Sequence, residues 1–402
     1  ASYGETGNDN ILDSDGDPDY YPYQTLYGLG YKNGSEAGAY FTVIANPSLK
    51  WETQISTDIA LEFGLFDCLT GTIEYFKKDS KDLLFDVSQP ASVGVTSIIQ
   101  NIGKVTNSGV EIELDYNAFK NKDWSVSVGA NATFVKNKIK NLPATMKENG
   151  YISGSKKWLE GKSIYEFWLR QWHGVDPQTG DGLYVADVSK YNQGNIGTGD
   201  GNITQSQFDE YKKTVVTIDG KELTNSYTYA KYDFSGSSIP DVFGGFNVRV
   251  SYKNFDLAAV FSYQLGGQVL DTNYATMMSM TEFGYAQSPD LLKAWKQAGD
   301  ITEVPRIDNS AAHTTNIGQS YSTRWLTSSD YLNLRSVTIG YQFPKAWLSK
   351  VMLKSARLNL TAENLFMLKA RQGLNPMANY SGVTYNEYMP SRNITLGLNV
   401  SF

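Results

Sequence analysis

Apolar and polar residues alternate along many short segments of this chain. The final segment has an apolar residue at every second position, namely Ile394, Leu396, Leu398, Val400 and Phe402. Because successive side chains of a β-strand point to opposite faces, this pattern predicts a strand with one apolar and one polar face. A membrane barrel and a soluble sandwich both contain such strands, so this segment alone does not distinguish them.

The same alternation recurs upstream, and the segments are joined by connections of two lengths. Short turns are expected at 67–69, 119–123 and 253–254, and long connections at 5–52, 89–106, 266–330 and 370–392. Outer-membrane barrels alternate in this way between short periplasmic turns and long outside loops. The pattern therefore predicts an all-β fold, a transmembrane antiparallel β-barrel with long extracellular loops, in preference to a soluble sandwich.

The direction of the strands predicts which connections share a side of the membrane. The final strand is expected to end in the periplasm, and each hairpin reverses the chain direction. We therefore expect 253–254, 119–123 and 344–353 on the periplasmic side and 266–330 outside.

Composition agrees with this fold class and excludes one kind of partner. The chain has 402 residues, of which 19% are charged, and it contains 36 Gly and 27 Tyr. Many turns and interfacial rings suit a membrane barrel. The net charge is −7 and Lys and Arg do not cluster, so nucleic acid is not an expected partner.

Candidate catalytic residues are few. Cys68 is the single cysteine, and His173 and His313 are the two histidines, which argues against zinc sites and Ser-His-Asp chemistry. Glu111 and Glu113 could in principle form a carboxylate pair, but they face the polar side of a strand and are expected to line a lumen. We predict no catalytic residue and no enzymatic activity.

Two acidic segments are weak candidates for Ca²⁺ in the outside loops. Asp13, Asp15 and Asp17 place carboxylates at alternate positions, as in hard-cation loops, but Pro18 stands where a turn glycine is expected. Asp200 and Asn202 flank Gly201, but Gln207 occupies the place of the usual bidentate Glu. The alternative is a pair of solvated loops, and no other cofactor is predicted.

Seven segments carry a resemblance to a known family. They begin with Asn-Pro-Ser-Leu-Lys-Trp-Glu at 46–52 and continue at 75–84, 101–111, 174–180, 239–245, 331–341 and 363–366. In this order they resemble the SusC/RagA-type TonB-dependent outer-membrane transporters. The resemblance covers nearly the whole chain.

The resemblance implies an assignment of domains. The family closes 22 strands around a plugged lumen, so this chain is expected to be the second half of that barrel. Residues 1–52 are assigned to an extracellular loop region with the end of a preceding strand, and 53–402 to the carboxy-terminal portion of the barrel. The plug, the TonB-contacting segment and the first barrel half have no counterpart in this chain.

The resemblance also implies a function in the bacterial outer membrane. We expect a part of an active importer of oligosaccharides or peptides, capped by a SusD-type surface lipoprotein and driven by TonB through the plug. Phe402 is expected to act as an assembly signal at the end of the last strand. A soluble glycan-binding or adhesion protein and a passive porin remain the alternatives.

Aromatic and methionine residues outside the strand pattern are candidate contacts for ligand or lipoprotein. These are Met277, Met278, Met280, Trp295 and Trp325 in the connection 266–330, and Trp158. Such residues are favoured at interfaces, although packing among loops would explain them equally. Trp168 and Trp172 are expected to be interfacial girdle residues. Local helices are predicted from Ser288 to Gly299 and after a capping box at Thr204 and Gln207.

Overall fold

The computed structural model describes the chain except residues 9–10, 12–19, 22, 89–91, 93, 96, 200, 280–283, 285, 309 and 386. Its strands are β1 (Ser2–Asn8), β2 (Leu26–Asn33), β3 (Glu36–Val43), β4 (Glu52–Leu65), β5 (Leu69–Ser88), β6 (Ser97–Lys120), β7 (Trp124–Asn141), β8 (Tyr151–Ser153), β9 (Lys156–Trp158), β10 (Glu166–Arg170), β11 (Trp172–Val175), β12 (Gly182–Val185), β13 (Val215–Ile218), β14 (Lys221–Thr224), β15 (Tyr232–Ser237), β16 (Val242–Tyr252), β17 (Phe255–Leu265), β18 (Gln268–Leu270), β19 (Leu326–Ser328), β20 (Tyr331–Gln342), β21 (Ser355–Glu363), β22 (Met367–Lys369) and β23 (Asn393–Ser401).

The helices are short. They are α1 (Gln205–Thr214), α2 (Thr272–Met277), α3 (Ala311–Ile317) and α4 (Lys345–Leu348), with 3-10 helices at Ala144–Met146, Gln193–Asn195, Tyr227–Tyr229, Pro289–Lys293, Thr323–Trp325 and Ser349–Val351. Among the described residues, no helix combines the length and the apolar character that crossing a bilayer would require.

One antiparallel sheet of eleven strands dominates the structure, and we call it the wall. Its order is β1-β4-β5-β6-β7-β16-β17-β20-β21-β23, with β22 paired beside β20. Neighbouring strands of the wall are antiparallel, and either a short turn or a long connection joins each to the next. The predicted all-β class is confirmed.

The register of the wall gathers the alternating residues onto two faces. Leu257, Ile339, Leu360 and Leu396 are cross-strand neighbours in four successive strands. Each stays exposed, from 39% for Leu257 to 69% for Leu396. A sandwich would bury this row against a second sheet, whereas a lipid-facing wall leaves it uncovered by protein.

An aromatic row crosses the wall at its short turns. Trp124, Tyr252, Phe255 and Tyr341 are register neighbours on four successive strands. The rings of Trp124 and Tyr252 lie 4.3 Å apart, and those of Phe255 and Tyr341 4.5 Å apart. Aromatic girdles of this kind mark the interface between membrane and water.

The opposite face of the wall carries charged and polar side chains. Arg357 Nη2 lies 2.6 Å from Asp256 Oδ2, and this ion pair crosses over Gly340 of the intervening strand. A side chain at position 340 would collide with both partners. Glycine at this position therefore allows strands β17 and β21 to be bridged across β20.

The two ends of the wall differ in their connections, with the shortest turns at one end and the longest loops at the other. Segments 66–68, 121–123, 253–254 and 343–354 join strands at one end, and 9–51, 89–96, 142–241, 266–330 and 364–392 at the other. The expectation for 89–106 was wrong, because the β5–β6 ladder continues to the pair Ser88 and Ser97. Apolar and polar residues do not alternate regularly in this part of β5 and β6, so the pattern did not reveal the strands.

The largest connection, 142–241, was not anticipated. It carries the strands β8 to β15 and helix α1. Trp168 and Trp172 belong to its small sheets, so their expected place in the interfacial girdle was wrong. The capping box at Thr204 and Gln207 is confirmed. The helix at Pro289 ends at Lys293 rather than near Gly299, because the chain turns extended at Ala294.

Candidate ligand and partner surface in the long connections

The connections 142–241, 266–330 and 364–392 pack together, and we call this region the loop assembly. It has a hydrophobic core of its own, formed by Phe167, Leu169, Leu270, Ala275, Met278, Ala294, Val304, Trp325 and Val383. A second core around Tyr191, Ile203 and Tyr211 stabilises the part that carries α1. The loop assembly therefore folds as a packed structure rather than as separate loops.

A buried carboxylate ties two of these connections together. Asp271 is 4% exposed, and its Oδ1 accepts a hydrogen bond from the Tyr274 backbone N–H at 2.9 Å. Its Oδ2 is paired with Arg371, whose guanidinium lies 3.5 Å from the centre of the Tyr274 ring. Burial lowers the pKa of Arg371 to about 10, so it remains charged at neutral pH.

The 174–180 segment, which contributes to the family resemblance, is a tight turn between β11 and β12. Asp176 holds the turn by accepting from the Gln178 N–H at 2.8 Å and from Thr179 Oγ1 at 3.0 Å. Trp295 packs on Gly180, and its Nε1 donates to the Pro177 carbonyl at 3.0 Å. The turn is therefore the surface on which the connection 266–330 docks.

A stacked arginine lines one cavity of the loop assembly. The Arg324 guanidinium lies 4.7 Å from the Trp172 ring centre and 4.3 Å from that of Trp325. Burial lowers the pKa of Arg324 to about 10. The adjacent cavity of about 340 Å³ is lined by Trp172, His173, Tyr274, Met278, Glu303 and Arg324, among others.

Another cavity is polar and measures about 580 Å³. Arg306 lines it and pairs with Asp181 at 3.1 Å. His313 Nε2 lies 2.8 Å from the Arg306 carbonyl, and Asn316 Oδ1 accepts from the Tyr227 N–H at 2.6 Å. Cavities of this size with a few convergent polar groups suit small ligands.

The hairpin formed by β2 and β3 presents an exposed aromatic surface. Tyr27 and Phe41 pack 4.9 Å apart, and Tyr31 and Tyr40 meet edge to face at 4.6 Å. All four are exposed. Two-stranded hairpins are marginally stable in water, and exposed aromatic patches of this kind are typical of protein interfaces.

The predicted contact residues fall into different environments. Met278 and Trp325 are buried in the loop core, and Trp295 docks on the 174–180 turn. Trp158 is half-buried and packs 6.0 Å from the Phe85 ring. Met277 alone of these is exposed, and Met280 lies outside the described residues.

The candidate calcium ligands stay a prediction. Asp13, Asp15, Asp17 and Asp200 lie outside the described residues, and Asn202 is an exposed turn residue whose N–H donates to the Gly199 carbonyl at 3.1 Å. Within the described part of the chain, no three His, Cys, Asp or Glu side chains group closely enough to hold a metal ion. Phe402 follows β23 and is exposed.

Comparison with known proteins identifies the family. The family model described as TonB dependent receptor-like, beta-barrel matches residues 2–365. The chain belongs to this family. The expected resemblance, the barrel fold and the location in the outer membrane are thereby confirmed, in agreement with the exposed apolar face of the wall.

Relatives of the TonB-dependent receptor family align along the whole chain. TonB-dependent receptor P3 of Formosa agariphila is 29% identical, and the match covers 100% of this chain and 39% of that protein. SusC of Bacteroides thetaiotaomicron is 25% identical, over 100% of this chain and 37% of SusC. This chain therefore spans about two fifths of the length of these relatives.

Two solved RagAB structures share the fold of this chain. The RagAB peptide importer in its 'closed-closed' state matches with a TM-score of 0.74 and 25% identity, over 100% of this chain and 40% of that chain. A second RagAB structure, described as a peptide transporter, matches with a TM-score of 0.73 and 24% identity.

Proposed function

We propose that this chain forms part of the barrel wall and the ligand-facing loops of an active outer-membrane importer. The observation that carries the proposal is the loop assembly, a packed structure that contains ligand-sized cavities and is built on a wall whose outer face is apolar. A passive porin has no evident need for such a structure. A soluble glycan-binding or adhesion module would expose the apolar face to water, at a cost of about 25 cal/mol per Å².

The proposed cargo is a peptide, with an oligosaccharide as the second candidate. The similarity to a structure described as a peptide importer supports the first. The exposed aromatic residues of the loops suit either cargo. We further propose that energy comes from TonB through a plug, as the resemblance implies, and that the chain catalyses no reaction.

Uptake measurements test the cargo and the energy source together. A host strain lacking the full-length gene should lose uptake of labelled oligopeptides and regain it on complementation. A protonophore should abolish uptake, because TonB draws on the inner-membrane proton gradient. Uptake that persists with the protonophore would favour a passive porin, and loss of oligosaccharide uptake instead of peptide uptake would favour the second cargo.

We also propose that a SusD-type surface lipoprotein contacts the exposed Met277 and the aromatic hairpin of β2 and β3. Met277→Glu and Tyr31→Ala should each reduce the amount of lipoprotein that co-purifies with the tagged full-length protein. Met352→Glu is the matched control, because Met352 is also exposed but lies at the short-turn end. Equal recovery from all variants would refute this contact surface.

The proposed orientation places the loop assembly outside the cell. Single cysteines at Asn254 and Gln297, introduced into a Cys68→Ser background, report the two ends of the wall on intact cells. A membrane-impermeant reagent should label position 297 and not position 254. The reverse result would invert the topology.

Phe402 is proposed to support assembly rather than transport. Phe402→Ala should lower the amount of inserted protein severalfold, while uptake per inserted molecule stays unchanged. Ile394→Ala, another exposed residue of the same face, is the control. Normal insertion of a protein lacking Phe402 would make it an ordinary interfacial ring.

A further inference from the structure

The guanidinium of Arg324 is half-buried and has no carboxylate partner among the described residues. Its Nη1 donates to the Ile317 carbonyl at 3.1 Å. Within the described part of the chain, no Asp or Glu oxygen lies within 4.0 Å of it, as is also true of Arg170, whereas Arg306, Arg357 and Arg371 each have such a partner. A partly buried cation without a countercharge is favoured by the approach of an anion.

The cavity beside Arg324 can admit that anion. Its volume of about 340 Å³ is at the lower end of the usual range for ligand sites. Trp172, Tyr274 and Trp325 form aromatic walls, and Met278 and Val304 add apolar surface. Glu303 lines the same cavity but is exposed, so it contributes a negative charge at the rim.

We infer that this cavity binds the carboxy-terminal residue of a peptide, with its α-carboxylate on Arg324 and its side chain against the aromatic walls. This inference rests on the proposed import function and names the end of the cargo that is recognised. Arginine suits the role because its planar fork donates two parallel hydrogen bonds to a carboxylate. Contact with the rings of Trp172 and Trp325 restrains the guanidinium.

Charge distribution favours a peptide end over an acidic glycan. The cavity offers one cation and carries a carboxylate at its rim. An oligouronide bears a carboxylate on every sugar, so the sugars next to the bound one would meet Glu303. A peptide with neutral residues before its last carries one negative charge, at the end that enters.

Paired ligands test the inference on the full-length protein purified in detergent. Calorimetry compares acetyl-Gly-Gly-Phe with its carboxy-terminal amide, which has the same shape and no charge. The acid should bind at least about tenfold more tightly, because the amide lacks the charge that pairs with the guanidinium. Equal binding of the two, or no binding of either, would overturn the inference.

Variants separate recognition from loop folding. Arg324→Gln should remove the preference for the acid. Arg170→Gln is the matched control, because Arg170 also stacks on two rings, at 4.9 and 4.7 Å, and donates to one carbonyl, but does not line this cavity. Arg170→Gln should still bind the acid more tightly than the amide. Loss of the preference in both variants, or in neither, would overturn the inference.

A second variant tests the site without disturbing the core. Glu303→Gln changes an exposed side chain, so the loop assembly should fold normally. The variant should bind the acid a few-fold more tightly, because a repulsive charge is removed. Its affinity for the uncharged amide should stay the same. An unchanged affinity for the acid, or binding of trigalacturonate in place of the peptide acid, would contradict the assignment.

The two proposals fail separately. If the protein binds the acid in preference to the amide but does not support peptide uptake, the import function is refuted and the proposed binding site remains. If Arg324→Gln does not affect peptide uptake and the acid and the amide bind equally, the proposed binding site is refuted and the import function remains.

Discussion

The wall and the loop assembly are stabilised in opposite ways. Along the wall, the apolar residues face outward, and each strand is held by the backbone ladder of its neighbours. In the loop assembly, apolar residues are buried in a core, and charged groups such as Asp271 lie inside it. The difference shows that the surrounding medium decides which face of an element is apolar, and that both arrangements occur within one chain.

The contrast extends to charge. On the polar face of the wall, Asp256 and Arg357 pair with both side chains still partly exposed. In the loop assembly, Asp271 is almost fully enclosed and depends on Arg371. A substitution that removes a charge partner should therefore be tolerated in the wall and costly in the loop assembly.

The largest effect is expected for Arg371→Ala. It leaves Asp271 buried without its partner, which typically costs about 3–5 kcal/mol. The loop assembly should become sensitive to added protease and lose near-ultraviolet circular dichroism, while the wall keeps its resistance to heat in detergent. The control is Arg392→Ala, which removes an exposed arginine from the same connection. Full protease resistance of Arg371→Ala would show that the pair is not structural.

A charge on the outer face of the wall should cost somewhat less. Leu398→Arg places a cation in the lipid-facing row and should destabilise the folded protein by about 2–4 kcal/mol if the position lies near the bilayer midplane. On the polar face of the same strand, the exposed Thr395 lies opposite Thr361, so Thr395→Arg should be tolerated. Unfolding in lipid vesicles measures both, and the reverse order would exchange the two faces.

The stability of the loop assembly should rise with pH because of Lys156. Burial lowers the pKa of Lys156 to about 7 from its ordinary 10.5, while nearby Glu166 opposes this shift. Between these two values the unfolded chain binds more protons than the folded one, so stability increases with pH across that window, by at most about 1.4 kcal/mol per unit. Below about pH 7 the contribution levels off.

Thermal unfolding of the loop assembly at pH 7 and pH 9 tests this dependence. Lys156→Met should flatten it, because no titrating group remains at the site. Lys157→Met is the control, since Lys157 lies 4.1 Å from the Trp168 ring centre and is less buried. A pH dependence that survives in Lys156→Met would assign it to another group.

The smallest effect is expected at the cap of α1. Thr204→Ala removes the acceptor for the Gln207 N–H, which lies 3.2 Å away, and should destabilise the helix by about 1 kcal/mol. Faster hydrogen exchange of the α1 amides measures the loss. Thr198→Ala, in the preceding exposed turn, should leave exchange unchanged, and the wall should be unaffected by either variant.

Much of the wall could be predicted from the sequence because its order is local. Alternation over 394–402 predicts both the strand and its apolar face, and short turns such as 253–254 determine which strands pair. The ends of β5 and β6 escaped prediction because the ladder continues where the side chains no longer alternate. Backbone hydrogen bonding does not depend on the pattern that revealed the strands.

The candidate site could be predicted only in part. The connection 266–330 was recognised by its length, and its methionines and tryptophans by their chemistry. Sequence could not separate Met277, which is exposed, from its neighbour Met278, which is buried. That distinction depends on which side of α2 faces the residues from 142–241 and 364–392.

By itself, the sequence determined the all-β class, the two faces of the wall, the sorting of turns by length and the resemblance to the family. Tertiary structure alone decided the 142–241 excursion, the Asp271–Arg371 pair and the stack of Trp172, Arg324 and Trp325. The reason is physical. A strand is specified by neighbours along the chain and across one hairpin. The Asp271–Arg371 pair and the contact between Trp172 and Arg324 join residues a hundred or more positions apart, whose meeting leaves no local pattern.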